Sequence, residues 1–239
     1  AKPITIAKSA FVSEALEKML DEGVDPLIVT NNGTVIGTTS RAAIAETLGS
    51  RKTQALKATS IHVANTVEEN FTSAYPDQNI DILVPLLQHY KLVVVFDAEH
   101  RLIGQVTAGD LLKVLRPPGN LPDVMEPAHT IQVEERAVHL RRRMLDGGIN
   151  RFIVEEGNQT LGIVTETDVA KALYALKDIV EGTRQEFRIR NLLVRDIMST
   201  PLISVNADTD VSDVIDLMLK KNIGSVPITQ NGRIAGVVT

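Results

Sequence analysis

Short apolar runs bounded by glycine, asparagine and proline alternate along this chain with longer stretches whose apolar residues recur at helical spacing. Phe11, Ala15, Leu16, Met19 and Leu20 lie on one helical face, predicting a helix over 12–21, and Gly23 follows where a left-handed C-cap is needed. Leu27, Ile28 and Val29 are apolar at consecutive positions, as in a strand buried on both faces. Asn31-Asn32-Gly33 then supplies a hairpin turn, because these residue types accept positive φ. With Ile4-Thr5-Ile6 in front, a return strand over 34–39 and a helix over 41–48, the order is strand, helix, strand, strand, helix.

That order is predicted three more times. The second copy places its first strand at 61–63, a helix at 79–90, a hairpin of 92–96 and 102–106, and a closing helix from Leu111. The stretch 64–78 reads as an insertion. The third copy has strands at 131–133, 151–154 and 161–165, a helix at 135–146 and a long closing helix over 166–178; a charged helical bridge over 181–195 follows. The fourth has strands at 203–205, 225–228 and 234–239 around a helix at 211–221. Arg116-Pro117-Pro118-Gly119-Asn120 is the strongest break and the expected boundary between pairs.

The last strand of each copy carries the repeat signature. Gly162-Ile163-Val164-Thr165-Glu166-Thr167-Asp168 is its clearest form, and Gly104-Gln105-Val106-Thr107-Ala108-Gly109-Asp110 matches it. Gly37-Thr38-Thr39-Ser40-Arg41-Ala42-Ala43 is degraded, with Ala43 where the aspartate falls, and Gly236-Val237-Val238-Thr239 ends the sequence. The uneven glycine spacing disfavours a solenoid, and units this small bury too little apolar surface alone, so they are expected to pair. The units are 1–50, 53–116, 121–178 and 192–239, the first read as incomplete at its N-terminus and the fourth at its C-terminus. The fold class is α/β (α+β), with β-α-β-β-α units.

Composition narrows the function. Aromatic residues are 3% of the chain and Trp is absent, so the core is aliphatic and little is offered for stacking bases. A net charge of −5 argues against a main role in gripping nucleic acid. The absence of Cys excludes disulfides and thiolate chemistry and fits a reducing, cytoplasmic setting. No apolar run reaches bilayer-spanning length, so no membrane role is expected. The histidines show no metal-ligand spacing, and neither a nucleophile elbow nor a phosphate loop occurs, so no enzyme is expected.

The repeated order, the Met198-Ser199-Thr200-Pro201 lead-in and the Gly162–Asp168 close resemble cystathionine β-synthase (CBS) domains over nearly the whole chain. Four copies without a catalytic domain are similar in plan to the γ subunit of AMP-activated protein kinase and to stand-alone archaeal CBS proteins. The resemblance implies two Bateman modules, 1–116 and 121–239, acting as a non-catalytic regulatory sensor of AMP, ADP or ATP. It also implies signalling to a protein partner or a homodimer through CBS pairing. S-adenosylmethionine, which lacks phosphate, is the weaker ligand candidate; an assembly module with decayed sites and a nucleic-acid-linked regulator are the other readings.

Thr165 with Asp168, and Thr107 with Asp110, have the spacing of a helix capping box. The resemblance gives them a second role, the aspartate accepting from ribose hydroxyls and the threonine contacting ribose or phosphate. A carboxylate has only acceptors to offer and suits a diol. Ser40 caps but lacks the carboxylate, so that half-site is expected empty or altered; Thr239 holds the equivalent place in the fourth copy. Arg151 and Lys91 are expected before their central strands, where the family faces phosphate, against the alternative of a solvated strand end. His129 and Thr130 are assigned to the nucleotide pocket by the same analogy. Arg141-Arg142-Arg143 fans around a helix and reads as a solvated face, as do the Glu68-Glu69 and Glu134-Glu135 pairs in polar turns.

Overall fold

A computed structural model describes residues 1–49, 60–179 and 183–239. The chain forms two compact units, Ala1–Leu115 and Arg116–Thr239, each containing two repeats. Every repeat holds one three-stranded sheet in which the central strand pairs parallel with the first strand and antiparallel with the last.

In the first unit, repeat 1 comprises β1 (Thr5–Ala7), α1 (Val12–Glu22), β2 (Leu27–Asn31), β3 (Thr34–Thr39) and α2 (Arg41–Gly49). The α1 face bearing Val12, Ala15, Leu16 and Met19 is buried, and Gly23 ends the helix in the left-handed region at φ 63°. The hairpin joining β2 and β3 turns through Asn32 and Gly33 at φ 49° and 82°, the geometry for which these residue types were expected. Repeat 2 comprises β4 (Thr72–Ala74), α3 (Leu83–His89), β5 (Leu92–Phe96), β6 (Leu102–Thr107) and α4 (Ala108–Val114). Ile28 of β2 packs with Leu92, Val94 and Phe96 of β5, so the two sheets meet through their central strands. This explains why those strands are apolar at successive positions: one face meets the helices and the other meets the second sheet.

The second unit repeats the scheme. Repeat 3 contains α5 (Leu121–Val124), β7 (Thr130–Gln132), α6 (Ala137–Gly147), β8 (Arg151–Glu156), β9 (Gln159–Thr165) and α7 (Glu166–Ile179). Next come α8 (Thr183–Asn191) and α9 (Val194–Ile197), then repeat 4 with β10 (Val205–Asn206), α10 (Val211–Lys221), β11 (Val226–Gln230) and β12 (Arg233–Val238). Gly148 and Asn222 close α6 and α10 in the left-handed conformation that Gly23 gives α1. Residues 181 and 182 of the predicted charged bridge lie outside the described residues.

Reciprocal backbone bridges tie the repeats of each unit together. In the second unit the Ser199 N–H donates to the Ile163 carbonyl at 2.8 Å and the Ile163 N–H to the Ser199 carbonyl at 3.1 Å. Glu126 and Val237 exchange the same two bonds at 2.8 and 2.9 Å, as do Glu68 and Thr38 of the first unit at 2.8 and 3.0 Å. Each lead-in peptide thus becomes a short fourth strand on the closing strand of the other repeat. The signature glycines follow from this. A Cβ on Gly162 would collide with the Ser199 carbonyl, and one on Gly236 would lie 2.8 Å from the Glu126 carbonyl.

Backbone bonds to the entry of α1 correct one sequence expectation. Ile61-His62-Val63 is not the first strand of repeat 2: Val63–Asn65 is a single 3-10 turn, and the strand is β4, inside the stretch read as an insertion. The Ile61 carbonyl accepts from Val12 N–H and the Val63 N–H donates to Ala10, so this backbone serves repeat 1 rather than β5. His62 stacks on Phe11 with ring centroids 4.8 Å apart, and its Nδ1 lies 2.7 Å from the Ser9 carbonyl.

Candidate ligand-binding clefts

Within the second unit, the segment leading into β7, the start of β8 and the end of β12 enclose a cavity of about 240 Å³. Glu126, His129, Asn150, Arg151 and Thr239 supply its polar wall, and Ile149 and Ile153 part of its apolar wall. Three residues singled out in the sequence, Arg151, His129 and Thr239, therefore meet in one place. Arg151 Nε donates to Asn150 Oδ1 at 2.7 Å, whereas its buried Nη1 has no hydrogen-bond partner. Burial pulls the guanidinium below its ordinary pKa, and the charges of Glu126 and then Glu166 oppose that shift. A half-buried cation with a donor to spare is suited to an anionic or acceptor-rich ligand.

Thr165 and Asp168 do not line this cavity. Their carboxylate works within the protein: the Thr165 N–H and hydroxyl donate to Asp168 Oδ2 at 2.8 and 2.9 Å, and the Ser199 hydroxyl donates to Oδ1 at 2.8 Å. Thr107 and Asp110 form the full capping box at the start of α4, and Lys113 takes the other carboxylate oxygen at 3.2 Å. Burial would raise the Asp110 carboxyl, but hydrogen bonds from the Thr107 backbone, from Lys113 and from the Thr107 hydroxyl outweigh it and hold the group below the usual carboxylate range. Both aspartates are thus engaged as caps, and a ribose there would share or displace a present donor.

Ser40 is 3% exposed and accepts from Ala43 N–H at 3.1 Å, the capping expected of it. It also donates to Glu68 Oε2 at 3.3 Å, so a carboxylate from repeat 2 stands beside the place that Ala43 leaves without one. Lys91 is not the counterpart of Arg151. The strand registers put Arg151 opposite Thr165 but Leu92 opposite Thr107, so Lys91 falls one residue early and is exposed. Arg151 is itself the first residue of β8, not the residue before it. Thr130 opens β7, and its carbonyl accepts from Arg143 Nη1 at 3.1 Å; it does not line the cavity.

The arginine triplet divides its work. Arg142 faces solvent beside Asp146, but Arg143 lies over the Phe152 ring, 4.6 Å from its centroid, so it is not merely a solvated charge. Glu134 pairs with Arg195, and Glu135 contacts His139 Nδ1 at 2.6 Å. Sequence reasoning passed over Glu126 and read Glu68 as a solvated charge, whereas Glu68 bridges Thr38 and accepts from Ser40. The available signal was their place just before the first strands, matching Ser199 of the Met198–Pro201 lead-in.

Four three-stranded sheets joined in pairs through lead-in peptides define a tandem-repeat α/β fold, and the CBS-domain profile matches residues 1–50, 63–117, 122–175 and 194–239. The chain belongs to the CBS-domain family. Among curated sequences it is similar to an uncharacterized protein of Methanopyrus kandleri, 35% identical over 107 residues, 44% of this chain and 50% of that protein. The chain thus matches only half the length of that relative. A crystal structure of a Methanocaldococcus jannaschii protein, proposed as an archaeal homologue of γ-AMPK, superposes with a TM-score of 0.83 at 22% identity, covering 100% of this chain and 94% of that one. An uncharacterized conserved protein of Pyrococcus horikoshii gives a TM-score of 0.59 at 19% identity, over 99% and 91% of the two chains. These likenesses establish the shared fold. Among the described residues no helix is long and apolar enough to cross a membrane.

Proposed function

We propose that this chain is a regulatory, non-catalytic module that binds an adenine nucleotide (AMP, ADP or ATP) between paired CBS repeats and conveys occupancy to a protein partner or a second copy. The observation that carries the reading is the cavity of the second unit, where Arg151 presents a buried donor without a partner beside His129 and Thr239. Such a cavity suits a nucleoside ligand better than a macromolecule. Signalling would follow from different affinities for two arrangements of the chain. The Thr165/Asp168 and Thr107/Asp110 pairs are the further ribose candidates, Ser40 with Glu68 an altered one, and S-adenosylmethionine the phosphate-free competitor.

Isothermal titration with AMP, ADP, ATP and S-adenosylmethionine tests the proposal on the unaltered chain and on Asp168→Ala and Asp110→Ala. Micromolar nucleotide binding supports a sensor, and its loss in one variant assigns the ribose to that aspartate. Binding that survives both substitutions removes the aspartates from the ligand role. Absence of heat with all four ligands favours an assembly module, the reading that the internally engaged aspartates already support.

A further inference from the structure

Glu126 occupies the lead-in position that Ser199 and Glu68 hold in their own repeats, since all three exchange backbone bonds with a closing strand of the paired repeat. At the two related positions the side chain reaches across to the start of the helix beyond that strand. Ser199 donates to Asp168 at 2.8 Å, and Glu68 accepts from Ser40 at 3.3 Å. Glu126 bridges Val237, so the corresponding partner is Thr239, and both line the cavity that Arg151 also lines. The backbone of Glu126 is committed to the bridge, and the exposed carboxylate is left to face the cavity.

We propose that Glu126 sets the charge of the ligand this cavity accepts, admitting an adenosine ligand with at most one phosphate and disfavouring the triphosphate. The inference rests on the adenosine reading above and narrows it. Glu126 is the one carboxylate and Arg151 the one Lys or Arg side chain among the described residues that line the cavity, and Glu166 outside it also acts on the Arg151 guanidinium. One phosphate group finds Arg151; each further phosphate charge meets Glu126 with no second cation to offset it. In a water-filled cleft one charge acting on another several ångströms away changes affinity about threefold. The ATP-to-AMP affinity ratio should therefore differ about tenfold between a cavity with the Glu126 charge and one without it.

The test is a titration of the whole chain with adenosine, AMP and ATP, followed by the ¹³C-methyl NMR signals of Ile149 and Ile153, which report occupancy of this cavity. Glu126→Gln keeps the backbone bridge and removes only the charge. The expected result is tighter binding of AMP than ATP to the unaltered chain, and a roughly tenfold rise in the ATP-to-AMP affinity ratio in Glu126→Gln, with adenosine nearly unchanged. An unchanged ratio with binding intact overturns the role of Glu126 and leaves the adenosine site standing. If none of the three ligands shifts either methyl in either protein, the site and the inference both fall.

Discussion

Gly162→Ala tests the contact that joins the repeats of the second unit. The new Cβ would collide with the Ser199 carbonyl and approach the Thr200 methyl at 3.0 Å, and Gly162 is buried inside β9. Neither neighbour is the far end of a flexible side chain, so the Ser199 peptide must retreat. Retreat lengthens both Ile163–Ser199 hydrogen bonds, now 2.8 and 3.1 Å. At about 1 kcal/mol for each bond, with overpacking of about 1 kcal/mol more, the expected loss is roughly 3 kcal/mol. For a unit of this size that lowers Tm by roughly 10 °C. Gly224→Ala is the matched control, because nothing lies within 4 Å of its Cβ position. Circular dichroism melts of both variants provide the assay. A Gly162→Ala melt within about 1 °C of the Gly224→Ala melt would refute the bridge as the reason for the signature glycine.

Asp110 carries an acid-side prediction. Its folded pKa is depressed, so its contribution to stability is present above its unfolded value and fades as pH falls through the folded one. Asp110→Asn should therefore lower Tm at neutral pH, and the gap to the unaltered chain should close as pH falls from the ordinary carboxylate range through the depressed folded pKa, as melts across a pH series will show. Leu140 is fully buried on α6, and Leu140→Ala should cost about 2–5 kcal/mol in urea unfolding with little change in m. A cost below about 1 kcal/mol would place that helix face outside the core.

The elements that were legible in the sequence are those encoded locally. The α1 stripe, its Gly23 cap, the Asn32-Gly33 turn and the apolar central strands each depend on residues a few positions apart. The capping boxes were readable for the same reason: Thr107 and Asp110 are three residues apart and bond directly. What escaped depends on the other repeat. β4 is short, and the Ile61-His62-Val63 stretch upstream of it looks like a strand until its backbone is seen bonded to Ala10 and Val12. Lys91 does precede β5 as expected, but the pairing of β5 with β6 puts Leu92, not Lys91, at the register position that Arg151 holds in β8, which composition does not reveal. Arg151, His129 and Thr239 were recognisable as candidates one at a time. Their meeting in one cavity with Glu126 comes from a bridge between the two repeats of the unit that no local pattern announces.

The central claim is that the second unit holds an adenine nucleotide against Arg151. A crystal structure of the chain grown with AMP tests it most directly. The account predicts AMP density in the cavity, its phosphate within hydrogen-bond distance of the Arg151 guanidinium and its adenosine against Ile149 and Ile153. A cavity free of nucleotide at saturating AMP, or AMP bound with Arg151 left untouched, would contradict it.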